Sequence, residues 1–350
     1  MTILVVGDAN ADLSAALGCY PAEGHDSPIE ALSWGSGGAA VNVAAALASL
    51  GSHARLLARV GRDPAADVAL RAARGAGVDL RAVQVDERLA TGLCFAAVSP
   101  GGERTFFSFR GANTALGAPP GPETLEGVRW LHVCGHALLE GRQRDTALSL
   151  IDWTLGRGVP VSLDLCLPLI EARRAEVLDL LPALAMLFVN EPELAALAGP
   201  DVATASTGDA EDVEHGGAES LSRYLRGGGT KEAGLPAHVT GAADRLRPGI
   251  VVVKLGARGC LVIAPAGRFE VAGQAVAALD TTACGDAFAA GFIHAHLCGA
   301  DPPTCAALAN AMGALVATRP GGGDSIPTRA ELRAFLEQRA PEMAALVPEV

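Results

Sequence analysis

The chain has 350 residues, of which 50% are hydrophobic and 19% charged, with a formal charge of -12. That length can bury a large core in one big domain or two ordinary ones, and the composition excludes a disordered or fibrous chain. The acidic balance, with no polybasic run, argues against a protein that works by neutralising a nucleic-acid backbone.

The opening stretch MTILVVGDANADL has no basic segment and meets Asp8 after one short apolar run. It is expected to be neither a secretory signal nor a membrane span, so a cytoplasmic protein is the expectation. Short apolar runs then alternate with alanine-rich stretches of helical length. Strands are predicted at Ile3–Gly7, Ala54–Gly61, Trp130–Gly135, Pro160–Leu165, Met186–Asn190, Ile250–Gly256 and Gly259–Ala264. Helices are predicted at Ala39–Gly51, Ala65–Gly77, Arg142–Gly158, Glu191–Gly199 and Gly285–Ala300, several closed by a glycine. Such alternation implies a mostly parallel sheet covered on both faces, an α/β fold. Two segments, about residues 13–34 and 91–110, lack a helical period. The second carries a turn signal at Pro100-Gly101-Gly102, and together they predict a small antiparallel accessory sheet. Pro200–Gly249, rich in Gly, Ala, Asp and Glu, reads as a surface insertion with a short helix near Glu219–Leu225.

The cysteines form no C-x-x-C pair, so most are expected to be small buried thiols in a reducing compartment. His132 with His136, and His294 with His296, lack further spaced ligands and are expected in the core or on the surface, not at a metal.

Gly35–Ala40, GSGGAA, fits the G-x-G-x-x-A dinucleotide pattern. It does not follow the first strand, however, and the segment about twenty residues on lacks the acidic residue that would hold a ribose, so a nicotinamide site is not expected. No G-x-x-x-x-G-K-[ST] phosphate loop is present. The glycine pair Gly37-Gly38 before a helix, with Asn42 on its first turn, suits the hydroxyl groups of a small polar ligand. Read simply as a turn and helix start, it needs only one of the glycines. Asn10 and Asp12 lie just past the carboxyl end of the first strand, where open parallel sheets bind ligands.

The run TTACGDAF, Thr281–Phe288, enters a helix through small residues. Its backbone amides and the positive helix end can approach an anion closely, and a phosphoryl group is the natural guest. Asp286, on the first turn, is either a stabilising acid there or the group that takes a proton from an attacking hydroxyl.

GGAAVNVAAALASLG and DTTACGDAFAAGF resemble the N- and C-terminal signatures of the ribokinase-like, or PfkB-type, family of sugar and nucleoside kinases. NADL, GERTFFSFRGAN, NEPE, KLGARGCLV and SIP are similar to smaller motifs of that family, so that the resemblance spans nearly the whole chain apart from Pro200–Gly249. The resemblance implies a three-layer αβα sandwich over about residues 1–340, a β-sheet lid from the two irregular segments, and a tail over 341–350. It further implies that Asp286 is the catalytic base and that the amides of Ala283, Cys284 and Gly285 form an anion hole. Asn10, Asp12, Gly37, Gly38 and Asn42 then match the positions that hold sugar hydroxyls, with Phe106 in the lid beside them. Asn190 and Glu193 match a pair that organises magnesium, mostly through water. Lys254, Gly256, Gly259 and Asn310, together with Asn190, match positions around ATP. Asp280, Thr282, Val316, Arg319, Gly321 and Ser325 match a potassium loop.

The chain also departs from the family. Ala39 stands where ribokinases proper have lysine, Lys254 replaces the usual threonine, and DLCLPL from Asp164 keeps only the aspartate of a D-x-N-x-R motif. The expectation is an ATP-dependent kinase acting on an alcohol of a small sugar-like substrate, with magnesium and potassium, no nucleic-acid or membrane partner, and a homodimer formed through the lid. One alternative is a nucleoside kinase, whose base would use Trp34, Phe95, Phe106, Phe107 and Phe109 as a wall. The other is a non-catalytic sugar- or nucleotide-binding protein.

Overall fold

A computed structural model describes residues 1–101, 103–198 and 249–348, and the insertion expected at Pro200–Gly249 lies almost wholly outside them. The strands of the central sheet are β1 (Thr2–Val6), β4 (His53–Leu57), β9 (Val128–Cys134), β10 (Val161–Asp164), β11 (Met186–Asn190), β12 (Ile250–Lys254), β13 (Gly259–Ala264) and β14 (Gly267–Ala272). Their order is β14-β13-β12-β11-β10-β9-β1-β4, parallel from β4 to β12 and antiparallel at the β13 and β14 edge. Parallel strands buried on both faces need unbroken apolar runs, and TILVV of β1 is buried at all five positions.

Alternation along β1 divides the core. Ile3 and Val5 pack in one layer with helices α1 (Ala39–Ser49), α7 (Cys284–Leu297) and α8 (Pro302–Ala317). Leu4 and Val6 pack in the opposite layer with α4 (Gly141–Leu155), α5 (Leu167–Leu180) and α6 (Glu191–Ala198). The result is the expected three-layer sandwich. No helix among the described residues is long and apolar enough to cross a membrane.

Several local expectations change. The run expected as one strand over Ala54–Gly61 breaks at Ala58; β5 (Arg59–Gly61) leaves the central sheet to pair with β6 (Gln84–Asp86). The helix expected over Ala65–Gly77 divides at Leu70 into α2 (Pro64–Ala69) and α3 (Arg71–Gly75). Helix α5 was missed because LPLIEARRAEVLDL buries only Leu169, Ile170 and Val177, too few to set an apolar period. Two missed helices carry start signals. Asp301 caps α8 with prolines behind it, and Thr328 and Glu331 form a capping box at α9 (Arg329–Arg339). The segment read as a tail contains α10 (Pro341–Ala344), and Val347 is buried in the core.

The lid is a separate sheet of β2 (Asn10–Leu17), β3 (Ile29–Gly37), β7 (Gly92–Val98) and β8 (Arg104–Phe109), ordered β3-β2-β7-β8. It is mixed, where an antiparallel sheet was expected: both hairpins are antiparallel, but β2 and β7 run parallel. Asn10 pairs with Gly92, so the two hairpins leave the core at one point and their first strands share a direction. Phe106 faces the core side, while Phe95 and Phe107 meet at 5.9 Å between ring centroids on the outer face.

Candidate active site

The carboxyl ends of the parallel strands, the lid and the start of α7 converge. Ala283, which caps α7, has φ 62° and is the one non-glycine residue with positive φ among the described residues. A side chain held in that region is a local strain of the kind that concentrates at functional sites. Behind it, Gly285 and Asp286 occupy the first helical turn, and the Cys284 amide turns back to the Thr281 carbonyl at 3.3 Å. Ahead of it, Asp280 accepts hydrogen bonds from the amides of Thr282 (2.7 Å) and Gly321 (2.9 Å). Arg104 of the lid completes that carboxylate at 2.7 Å and also donates to Thr282 Oγ1 at 3.0 Å.

Asp286 keeps part of its surface open yet lies deep among protein atoms, and its Oδ2 accepts a 2.8 Å hydrogen bond from Asn42 Nδ2. Burial pushes its carboxyl up to about 7; the Asn42 bond opposes the shift, Asp164 adds to it and Lys254 subtracts from it. Asn42 is placed by the Gly37-Gly38 step, and both glycines are required. At Gly38 φ is 89°, and a Cβ there would stand 2.4 Å from the Asp8 carbonyl oxygen. At Gly37 a Cβ would stand 2.2 Å from the carboxylate of Asp12. Burial, then the nearby Asp286, Asp324 and Asp280, push the Asp12 carboxyl up to about 7. Asn10 is tied sideways, its Oδ1 accepting from Asn113 Nδ2 at 2.8 Å.

Two cavities flank this segment. One, of about 490 Å³, is lined by the expected nucleotide residues Lys254, Gly256, Gly259 and Asn310, together with Thr281, Cys284 and Gly285. The other, of about 240 Å³, lies under the lid and is lined by Asp12, Phe106, Asp280, Thr282 and Gly321, with Asp324 beside them. Residues 280–285 therefore form a wall whose two sides face different cavities. Asn310 also spends its amide on the Val271 and Ala272 carbonyls, each at 3.1 Å, which fixes the end of β14 against α8.

Asn190 and Glu193 grip one another at the start of α6: Asn190 N donates to Glu193 Oε2 at 2.8 Å, and Glu193 N to Asn190 Oδ1 at 2.9 Å. Burial pushes the Glu193 carboxyl up to about 7, with Lys254 opposing. No cluster of three or more His, Cys, Asp or Glu able to hold a metal occurs among the described residues. An oxygen pair alone fits magnesium that keeps its waters and takes further oxygens from phosphates. The residues expected to hold potassium are only partly brought together. Asp280, Thr282 and Gly321 share one network, whereas the Arg319 side chain turns to Glu331 at 3.0 Å and Ser325 Oγ donates to the Gly322 carbonyl at 2.6 Å. Val316 O accepts from Arg319 N at 3.0 Å in the last turn of α8.

Sequence reasoning missed Arg104, Asp324 and Asn113 as site residues. Asp324 accepts from Ser36 N at 2.9 Å and pairs with Arg71, which pins β3 to the loop after α8. Arg104 and Asn113 stand inside GERTFFSFRGAN, and Asp324 directly precedes SIP, so the motifs marked the neighbourhoods without assigning these side chains.

Comparison with known proteins agrees with this architecture. Residues 2–224 and 229–329 match the model of the pfkB family carbohydrate kinases. An ATP-dependent ribose-1-phosphate kinase of Halopiger xanaduensis is 32% identical over 340 residues, covering 96% of this chain and 98% of the other. A fructokinase of Klebsiella pneumoniae is 27% identical over 315 residues, covering 86% and 91%. Among solved structures, a ribokinase of Thermotoga maritima aligns with a TM-score of 0.72 at 23% identity, over 96% of this chain and 99% of that one. An adenosine kinase of Sinorhizobium meliloti aligns with a TM-score of 0.75 at 20% identity, over 97% and 99%. At those identities the two structures speak for the fold alone. With the family model matched along most of the chain, and with the two signatures meeting at Asn42 and Asp286, the chain belongs to the pfkB family of carbohydrate kinases.

Proposed function

We propose that this kinase moves the γ-phosphoryl group of ATP to an alcohol of a small sugar or sugar-like substrate, in the cytoplasm. The observation that carries the reading is the wall at residues 280–285, with a 490 Å³ cavity on one side and a 240 Å³ pocket under the lid on the other. Asp12, Asn42 and the backbone of Gly37 and Gly38 hold sugar hydroxyls, with Asn10 supporting them from behind and Phe106 covering them. Asp286 accepts the proton of the substrate hydroxyl; the hydroxyl oxygen bonds to the γ-phosphorus as the bridge to the β-phosphate breaks, and ADP leaves. Ala283 and Gly285 offer amides to the charge that develops on the transferred group, and the Cys284 amide joins them by releasing the Thr281 carbonyl. Asn190, Lys254, Gly256, Gly259 and Asn310 surround ATP. Magnesium, held by Asn190 and Glu193 through water, neutralises phosphate charge when bound. Potassium belongs to the reading as a modest activator at the Asp280 loop, where Arg104 already supplies one positive charge.

The pocket favours a sugar over a nucleoside. Of the five aromatic residues that could wall a base, Phe106 faces the pocket and Trp34 borders it, but the pairing of Leu13 with both Trp34 and Phe95 puts the Trp34 ring on the outer face of the lid, where Phe95 and Phe107 meet. The Halopiger xanaduensis relative acts, by its name, on ribose 1-phosphate, and Arg104, paired with Asp280 of the pocket wall, is a cation for an acceptor's phosphate. The test is ADP release from Mg-ATP across pentoses, pentose 1-phosphates, hexoses, sugar acids and nucleosides. Turnover concentrated in a sugar or sugar phosphate supports the reading; a nucleoside as the best acceptor overturns it.

The outer lid face exposes Ile29, Leu32, Trp34, Phe107 and Phe109. A lid-to-lid homodimer would cover these exposed apolar side chains.

A further inference from the structure

Among the described residues, those lining the 490 Å³ cavity are nearly all small or apolar, and Lys254 is the single charged one. A nucleoside triphosphate is a polyanion, and Lys254 offers its phosphate end a cation from the protein. Lys254 ends β12, and its Nζ lies 2.6 Å from Asp164 Oδ1 at the end of β10. It also lies 3.4 Å from where a Cβ would stand on Gly285, in the first turn of α7. The ammonium is thus held where the nucleotide cavity meets the helix start that carries Asp286. Asp164 and Glu193 both favour its charged form, outweighing the opposing effect of burial.

Resting on the kinase reading above, we propose that Lys254 is a catalytic residue that contacts the γ-phosphoryl group during transfer. Asp164 is its positioning residue, keeping the ammonium at the Gly285 end of the cavity. A lysine serving only to stitch β10 to β12 across β11 would not need to line the cavity or to abut Gly285. No proton leaves Lys254 in the step; its ammonium offsets charge on the phosphoryl oxygens while the bond to the β-phosphate breaks.

The test compares wild type, Lys254→Gln and the double variant Lys254→Gln/Asp164→Asn. The single variant strands a carboxylate and is expected to be less stable. The double variant leaves a neutral, hydrogen-bondable pair and is expected to recover the melting temperature. Both are expected to lose kcat by ~10²–10³, with the KM of the acceptor changed less than about threefold. In calorimetry with magnesium, both are expected to lose about tenfold in the ratio of affinity for the non-hydrolysable ATP analogue AMP-PNP to affinity for ADP. A double variant with kcat within about threefold of wild type, or with the analogue-to-ADP ratio unchanged, overturns the proposal and leaves the pair a structural tie. Should the wild type turn over none of the acceptors, the kinase reading fails separately, and the analogue-to-ADP ratio alone decides the role of Lys254.

Discussion

Asn42 Nδ2 donates a 2.8 Å hydrogen bond to Asp286 Oδ2, joining residues 244 positions apart in the sequence. The other atom of that amide, Asn42 Oδ1, is buried and has no hydrogen-bond partner among the described residues. The amide is therefore oriented by the carboxylate, and its donor favours the ionised form of Asp286. Asn42→Ala is expected to raise the Asp286 pKa by about one unit, moving the acid limb of kcat/KM to higher pH by the same amount. An acid limb left where it stands in the wild type would show that the bond does not act on the base.

The pH dependence of the wild type follows from the burial of Asp286, whose carboxyl is pushed up to about 7. A general base must be ionised, so kcat/KM is expected to fall as pH drops through about 7. Stability runs the other way. Between the ordinary value of 3.8 and about 7 the folded chain holds a proton that the unfolded chain has released, so stability declines as pH rises through that window. Asp286→Asn is then expected to melt higher than wild type above about pH 7, with the gain gone near pH 4. Thermal melts of both proteins across this range check the sign.

Gly37 makes room for Asp12, whose carboxylate would lie 2.2 Å from an added Cβ. The clash is with a side chain that can rotate, so Gly37→Ala is expected to cost little stability but to turn Asp12 out of position. A rise of about tenfold or more in acceptor KM, with ATP KM unchanged, is the expected result. Equal changes in both KM values would count against a role of Asp12 on the sugar side.

Arg104 bridges the lid to Asp280 and Thr282. Arg104→Ala removes the cation from a carboxylate that still faces two backbone amides, and an external cation is expected to become more important there. Replacing potassium by sodium should therefore slow the variant more than the wild type. If potassium matters equally in both, the guanidinium and the ion act at separate places.

Phe107 is exposed on the outer lid face, opposite the pocket side that carries Phe106. Phe107→Glu is expected to convert a dimer to a monomer in light scattering at micromolar concentration while leaving Asp286 and the pocket residues in place. A monomeric wild type would remove the lid-to-lid assembly from the account.

Much of this arrangement was legible because its physics is local. Met186–Asn190 and Gly259–Ala264 were read to the residue because buried strands are unbroken apolar runs with sharp ends. Asp286 and Asn42 stand out along the chain because each sits at a helix start marked by small residues. What escaped depended on distant partners. Ala58 reads as part of an apolar run, and only pairing of the next three residues with Gln84–Asp86 shows that the strand has ended. Arg104 looks like an ordinary hairpin charge until the lid folds over Asp280, 176 positions further along the chain. Lys254 was placed near the nucleotide, but its ion pair with Asp164 joins strands separated by β11 and has no signature along the chain.

The central claim is that Asp286, next in the chain to the wall between two cavities, is the base. Its most direct test is ADP release by Asp286→Asn with the best acceptor and Mg-ATP, alongside calorimetric ATP binding by the same variant. The account predicts that kcat falls by ~10²–10⁴ while the ATP dissociation constant stays within about threefold of wild type. A variant that binds ATP normally and keeps kcat within about tenfold of wild type would contradict it.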